Sequence, residues 1–360
     1  MSRFAGVVSL CLGLAVSLSA AAEAPLPDPD GQPADMTKPV QVFILMGQSN
    51  MLGAGRIAGT DKEGTLEHAT KTAGLYPYLL DETGAWTTRN DVRNVRVMVG
   101  RGGMGVHAND WLTIKGKTIG PEIGIGHQLG HLLDEPVLVL KSCIGNRSLG
   151  WDLLPPGSEG YEHESLDKKS GQTKTYVYAG YKESPMKWEK GTQPEPIGWY
   201  AGKQYDDDVA NAKRVLAELD TYYPGAQGYE VAGFFWWQGD KDRYDEGLAA
   251  HYEENLVRLI KTLREDFNAP DAPFVLATLG QTERGAAGTE GVILDAMLAV
   301  DGESGRYPEF KGTVATVYTH PLSKGGASNG HYDGNAQTYM NVGEAMGAAM
   351  VKLLAGERDQ

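Results

Sequence analysis

The longest unbroken apolar runs in the chain are short and end in turn residues. Residues 42–46 (Val-Phe-Ile-Leu-Met), 137–140 (Val-Leu-Val-Leu) and 229–237 (Tyr-Glu-Val-Ala-Gly-Phe-Phe-Trp-Trp) stop at Gly47, at Lys141-Ser142 and at Gln238. Such runs predict strands buried on both faces of a parallel sheet. Residues 94–99 alternate around Val95, Val97 and Val99, and residues 273–279 and 312–318 complete the set of expected strands. Between them the period changes to that of a helix. Ile123, Ile125, Leu129 and Leu133 follow Gly120-Pro121-Glu122, where Pro121 suits a first turn and Glu122 complements a helix N-terminus. Helices are also predicted over 206–219, 247–267, 292–300 and 337–354, the second of these the most clearly amphipathic. Alternation of strand and helix implies right-handed crossovers and a mainly parallel sheet with helices on both faces. The fold class is therefore α/β, a three-layer α/β/α sandwich.

Two stretches break this rhythm. Residues 101–105 (Arg-Gly-Gly-Met-Gly) read as a plain loop, since they match no phosphate-binding pattern. Residues 155–203 are rich in Gly, Pro, Tyr, Lys and Glu, with no strand or helix pattern. So long a segment is expected to be a functional loop or lid. Trp188 and Trp199 in it, with Trp151 just before it, either stack on sugar rings or pin the insertion to the body.

The first residues read as an export signal, with Arg3 ahead of an apolar stretch and small residues at 19–22. The expected organisation is a signal peptide over 1–22, a flexible lead-in over 23–38, and one domain over 39–356 with the insertion at about 155–203. No later apolar run reaches the ~18 residues of a spanning helix. The expected product is exported, periplasmic or extracellular, and free of the membrane once the signal is removed. Cys143 is then the only cysteine left, so no internal disulfide is available and a buried apolar role is expected for it. The net charge of −14, with no Lys/Arg-rich run, argues against a nucleic-acid partner. His127 and His131 have a ligand-like spacing but lack the H-E-x-x-H pattern, so they are read as packed or surface residues and no metal or cofactor is expected.

The candidate chemistry sits where the predicted strands end. Ser49 follows the first strand as either a helix cap or a nucleophile. Gly145 follows the second, Gln238-Gly239-Asp240 the third, and His331 comes after the last. In a parallel sheet these ends share one edge. Ester hydrolysis needs a hydroxyl, a His to take its proton, a carboxylate to orient that His, and N–H donors for the oxyanion.

These blocks resemble, in order, those of the sialate O-acetylesterase and carbohydrate esterase family six group of SGNH hydrolases. They are Gly47-Gln48-Ser49-Asn50-Met51, Gly120-Pro121-Glu122, Gly145 with Trp151, Trp237-Gln238-Gly239-Asp240-Lys241-Asp242, and His331 with Gly343. The resemblance implies the SGNH (flavodoxin-like) fold and a hydrolase of acetyl esters on carbohydrate. It implies Ser49 as nucleophile and His331 as base, with the Ser49 and Gly145 N–H groups and the Gln238 side chain as oxyanion donors. Gln48, Asn50, Asn146, Trp151, Trp188 and Trp199 are the candidate substrate contacts. Two positions depart from the pattern. Ser328 stands three residues before His331 where an Asp is usual, and Asp240 stands where the group has Glu. Asp240 is therefore the expected orienting acid, with Asp242, Asp333 or a Ser–His dyad as alternatives, and His320 as the rival base. The competing functions are a glycan-binding protein on a degenerate esterase fold and an esterase for lipid or aryl esters. An acetylated carbohydrate is the expected partner; oligomeric state and the identity of the sugar are left open.

Overall fold

The computed structural model describes residues 26–167 and 170–358; the expected signal peptide lies outside the described residues. Strand β1 (Val40–Gly47) runs into a one-turn helix, α1 (Ser49–Leu52). β2 (Gly55–Arg56), β3 (Thr88–Gly100), β4 (Gly103–Thr113) and β5 (Thr118–Ile119) precede α2 (Glu122–Leu132) and β6 (Val137–Ser142). The insertion carries β7 (Tyr161–Asp167), β8 (Gln172–Tyr178) and β9 (Lys187–Glu189). Then come α3 (Lys203–Ala217), α4 (Leu219–Tyr222), β10 (Tyr229–Trp237), α5 (Glu246–Ala250) and α6 (Tyr252–Asp266). β11 (Phe274–Ala277), α7 (Gly288–Ala299), β12 (Val314–Val317) and α8 (Ala336–Arg358) close the chain.

The main sheet has seven strands in the order β12-β11-β10-β1-β6-β3-β4, with β1 at its centre. All its pairs are parallel except β3 with β4. Alternate residues of β1 explain why the run is apolar throughout. Val42, Ile44 and Met46 bury against Val209, Leu256, Leu259 and Ile293 of α3, α6 and α7. Phe43 and Leu45 bury on the other face against Ile123, Ile125 and Leu129 of α2 and Met340 and Met346 of α8. Two cores flank one sheet, as a three-layer α/β/α sandwich requires. Emptying such a site, as in Leu256→Ala, costs about 2–5 kcal/mol. α2 and α8 cross closely because both are glycine at the contact. A Cβ on Gly343 would lie 2.4 Å from the Pro121 carbonyl oxygen, and one on Gly124 would lie 2.4 Å from the Glu344 nitrogen.

Three expectations are corrected here. Residues 101–105 are not a loop: the chain turns between Gly100 and Gly103 and returns as β4, an edge strand antiparallel to β3. The residues expected to form one helix over 247–267 are two helices broken at His251, with the Asp245 side chain capping the first. The insertion is not structureless. Its three strands form a separate antiparallel sheet. Beneath it, Trp151, Leu154, Ala179 and Ala201 are buried, with Met186, Trp188 and Trp199 packed around them. The two ends of the insertion run side by side, since Gly202 N–H donates to the Trp151 carbonyl and Gln204 N–H to the Asp152 carbonyl, both at 2.8 Å.

Candidate active site

β1 ends at the centre of the sheet, so whatever follows it stands in the middle of the carboxyl edge. Ser49 is the first residue of α1. The cap position is Gln48, whose side chain makes no capping bond, and the Ser49 hydroxyl has no hydrogen-bond partner among the described residues. The loop after β6, the neighbouring strand, brings Gly145 against it: a Cβ on Gly145 would lie 3.3 Å from the Ser49 Cβ. The absence of that Cβ gives the loop its close approach. Neither the Ser49 nor the Gly145 N–H has a protein acceptor among the described residues.

Gln48 and Gln238 lie beneath this turn, both buried. Gln48 Oε1 accepts from Gln238 Nε2 at 3.1 Å and from the Lys241 N–H at 3.3 Å. Gln238 Nε2 also donates to the Arg147 carbonyl at 2.9 Å and to Asp242 Oδ2 at 2.6 Å, while its Oε1 accepts from the Tyr252 hydroxyl at 2.9 Å. The Gln238 amide is thus occupied, which corrects its expected role as an oxyanion donor. Asp242 is fully buried and accepts from the Leu149 and Gly150 N–H groups at 3.0 and 2.8 Å. It ties the loop after β6 to the loop after β10, and that position removes it as a partner for His331. Burial pushes its carboxyl up to about 7, against the pull of these donors.

Asp240, two residues earlier, faces the other way. Its Oδ1 accepts from Ser328 Oγ at 2.5 Å and from Arg243 Nε at 2.9 Å. Arg243 in turn pairs with Glu290. Asp240 therefore reaches the segment carrying His331 at Ser328, and not at the imidazole. The His331 ring is half-buried and has no hydrogen-bond partner among the described residues. Asp333 is exposed and makes no bond to it.

The backbone at His331 is unusual. His331, Tyr332 and Asp333 have φ of 53°, 52° and 55°, and Gly334 follows at 69°. Each non-glycine residue in this left-handed region costs roughly 1–2 kcal/mol. Tyr332 holds the segment in place. Its ring is buried and stacks on Trp237 with centroids 5.9 Å apart, and its hydroxyl accepts from the Gly280 N–H at 3.1 Å. The segment packs against α1. His320, the rival base, lies three residues past the end of β12, a strand three spacings or about 14 Å from β1. Its ring is bound to the Gly280 carbonyl at 2.9 Å and to Glu283 at 3.2 Å.

The other expected residues divide by burial. Asn146 is exposed beside Gly145 at a left-handed φ of 57°. Asn50 is buried with neither amide atom partnered. Trp151, Trp188 and Trp199 belong to the small core under the insertion, which favours pinning over sugar contact. Arg147 and Lys203 stack over the Trp199 ring at 4.9 and 5.7 Å. His127 is buried against the Tyr78 ring at 4.7 Å, and burial pushes its pKa down to about 3, whereas His131 is exposed. Among the described residues no three His, Cys, Asp or Glu side chains converge as metal ligands. Cys143 is buried, and burial raises its thiol pKa.

One pair escaped the sequence reading. Lys141, fully buried at the end of β6, pairs with Glu122 at 2.5 Å and donates to the Leu52 carbonyl of α1 at 3.1 Å. Glu122 also accepts from the Gly120 N–H at 3.1 Å. The signal available was a lone Lys closing an apolar strand, with the Gly-Pro-Glu turn as its only plain counter-charge.

Residues 177–352 match the family described as SASA: carbohydrate esterase, sialic acid-specific acetylesterase. The chain is similar to this family over that stretch, which holds Asp240, Ser328 and His331 but neither Ser49 nor Gly145. No curated protein matches the chain. Among solved structures it is similar to a protein from Arabidopsis thaliana, at 17% identity and a TM-score of 0.46 over 87% of this chain and 98% of that one. It is also similar to a carbohydrate acetylesterase from Xanthomonas citri, at 13% identity and a TM-score of 0.49 over 88% of this chain and 57% of that one. NanS is similar at 15% identity and a TM-score of 0.39, over 78% of each chain. Among the described residues no helix is long and apolar enough to cross a membrane.

Proposed function

We propose that the protein is an exported serine esterase that removes O-acetyl groups from carbohydrate through an acetyl-enzyme. One observation carries this reading: the Ser49 hydroxyl, without a partner among the described residues and at the centre of the sheet's carboxyl edge, lies against Gly145 and beside the strained segment that bears His331. Ser49 Oγ attacks the acetyl carbonyl carbon while His331 takes its proton. The Ser49 and Gly145 N–H groups receive the oxyanion. The tetrahedral intermediate collapses as His331 returns the proton to the departing sugar oxygen. A water, deprotonated by His331, then cleaves acetyl-Ser49 to acetate and free Ser49.

Asp240 acts as a positioning acid in this scheme. It fixes Ser328, and through it the turn carrying His331, while Arg243 offsets its charge. The test is acetate release by wild type and Ser49→Ala on an aryl acetate, acetylated xylan and O-acetylated sialic acid. Ser49→Ala is expected to lose about 10³-fold or more in kcat. Full activity in that variant overturns the mechanism. Cleavage near residue 22 on secretion tests the export signal.

A further inference from the structure

The proposed mechanism leaves one buried acid without a part. Asp242 is fully buried, and its carboxylate is held by three neutral donors: the Gln238 amide at 2.6 Å, the Gly150 N–H at 2.8 Å and the Leu149 N–H at 3.0 Å. The ionisable groups facing it are Asp152, Tyr161 of the insertion and Tyr252 of α6, none of them a cation. Its neighbours in sequence turn away: Lys241 is exposed, and Arg243 pairs with Asp240 and Glu290. A buried charge without a cation is expensive, so a carboxylate here calls for a role that an amide of the same shape would not fill.

The donors show where the charge acts. Leu149 and Gly150 close the loop after β6, and Gly145 stands near its start. Gln238 Nε2 reaches the same loop at the Arg147 carbonyl, two residues past Gly145, at 2.9 Å. It also reaches the side chain of Gln48, the residue before Ser49, at 3.1 Å. The Tyr252 hydroxyl, donating to Gln238 Oε1 at 2.9 Å, fixes which end of that amide carries its hydrogens. One buried unit thus grips the chain beside each oxyanion donor.

We propose that Asp242 is a positioning residue for the oxyanion donors: its carboxylate, bonded to Gln238, Leu149 and Gly150, sets the Gly145 N–H against the Ser49 N–H. The ionised acid is the working form. A proton on it meets three donors and turns charge-assisted bonds into neutral ones, about half as strong. Because burial lifts this carboxyl to about 7, the loss falls near neutral pH. The loop then slackens, and kcat drops beyond what the proton taken by His331 accounts for. The inference rests on the esterase reading, so its test is separated from that reading's failure.

Wild type and Asp242→Asn are compared on 4-nitrophenyl acetate at about pH 8.5 and pH 5.5, on either side of that titration. At the higher pH, Asp242→Asn should lower kcat about 10–100-fold with KM little changed, a misplaced donor costing less than an absent one. At the lower pH, wild type is itself protonated at Asp242, so the ratio of the two kcat values should shrink at least about fivefold. A purely structural role leaves that ratio constant. The second measurement is hydrogen exchange of the backbone amides of residues 143–150 in wild type, corrected for intrinsic rate. Their protection should fall about threefold or more over the same pH step, while that of β1 stays. A kcat for Asp242→Asn within about threefold of wild type at the higher pH overturns the proposal, and so does a ratio independent of pH. If the variant does not fold, the exchange measurement decides. If wild type cleaves no ester, the esterase reading falls, and exchange decides the clamp independently. Protection of 143–150 that falls with acid sustains it; protection indifferent to pH overturns it.

Discussion

The two halves of the candidate site are built differently. On the nucleophile side, Ser49 stands on helical backbone, two residues past the central strand, and its support is buried and mostly polar. Lys141 and Glu122 hold the end of α1, and the Gln48–Gln238–Asp242 network lies under its start. On the base side, His331 stands on three successive left-handed residues and is held at a distance, by the Tyr332 ring on Trp237 and by Ser328 on Asp240. The first half is cheap in backbone energy and depends on desolvated charge. The second is strained and depends on packing. A hydroxyl needs only a fixed place, whereas the imidazole must be aimed, and strain that packing over-determines is one way to aim it.

Substitutions break this comparison in order of expected size. His331→Ala should cost kcat as much as Ser49→Ala, about 10³-fold or more, and the double variant little beyond either; single-turnover acetate release checks both. Lys141→Met strands Glu122 in the interior and should destabilise by about 3–5 kcal/mol, read by urea unfolding. The equivalent loss on the base side should be smaller and kinetic. Ser328→Ala, by freeing the turn from Asp240, should lower kcat about 10–100-fold with KM little changed. Adding Asp240→Asn should not compound it; a steady-state double-mutant cycle reads that.

Two buried groups, one under the nucleophile turn and one on α2, respond to acidity in opposite directions. Because Asp242 carries a folded pKa near 7, the folded protein keeps a proton that the unfolded chain loses above about pH 4. That contribution to stability is lost as pH rises toward 7. His127 does the opposite: its folded pKa near 3 makes stability fall as pH drops below about 6.5. Asp242→Asn removes only the first slope. Its stability relative to wild type should therefore improve on the order of 1–2 kcal/mol between pH 4.5 and 7, measured by urea unfolding at each pH. The smallest effect is expected at Asp333, which is exposed and left-handed. Asp333→Gly should stabilise by about 0.5–1 kcal/mol, seen as a raised Tm.

The sequence carried the nucleophile side further than the base side, for physical reasons. A strand buried on both faces must be apolar throughout, so β1, β6 and β10 announce themselves, and the residue after each falls at a known edge. β4 does not: an edge strand meets solvent, and Gly-Met-Gly-Val-His-Ala-Asn-Asp reads as a loop. The insertion hides its sheet for the same reason, because its core is only a few aromatic and Ala residues. His331 could be placed near the site by its order in the chain. Its left-handed backbone could not, since none of His, Tyr and Asp signals positive φ as glycine does. The direction in which each acid of Gln-Gly-Asp-Lys-Asp faces was equally hidden. Asp240 and Asp242 differ by two positions and serve opposite halves, which only the surrounding loops decide.

The insertion's tied ends have a consequence for the protein's history. Because Trp151–Gly202 and Asp152–Gln204 close the neck, and Trp151, Leu154, Ala179 and Ala201 form a core of their own, the intervening chain is a cassette. Its length and outer surface can drift at little cost in loop closure, while Tyr161 and Tyr178, bonded to the Gly247 carbonyl and to Asp245, hold its base on α5. The central strand and the turn after it would register nothing, so new rims can be tried on an unchanged hearth.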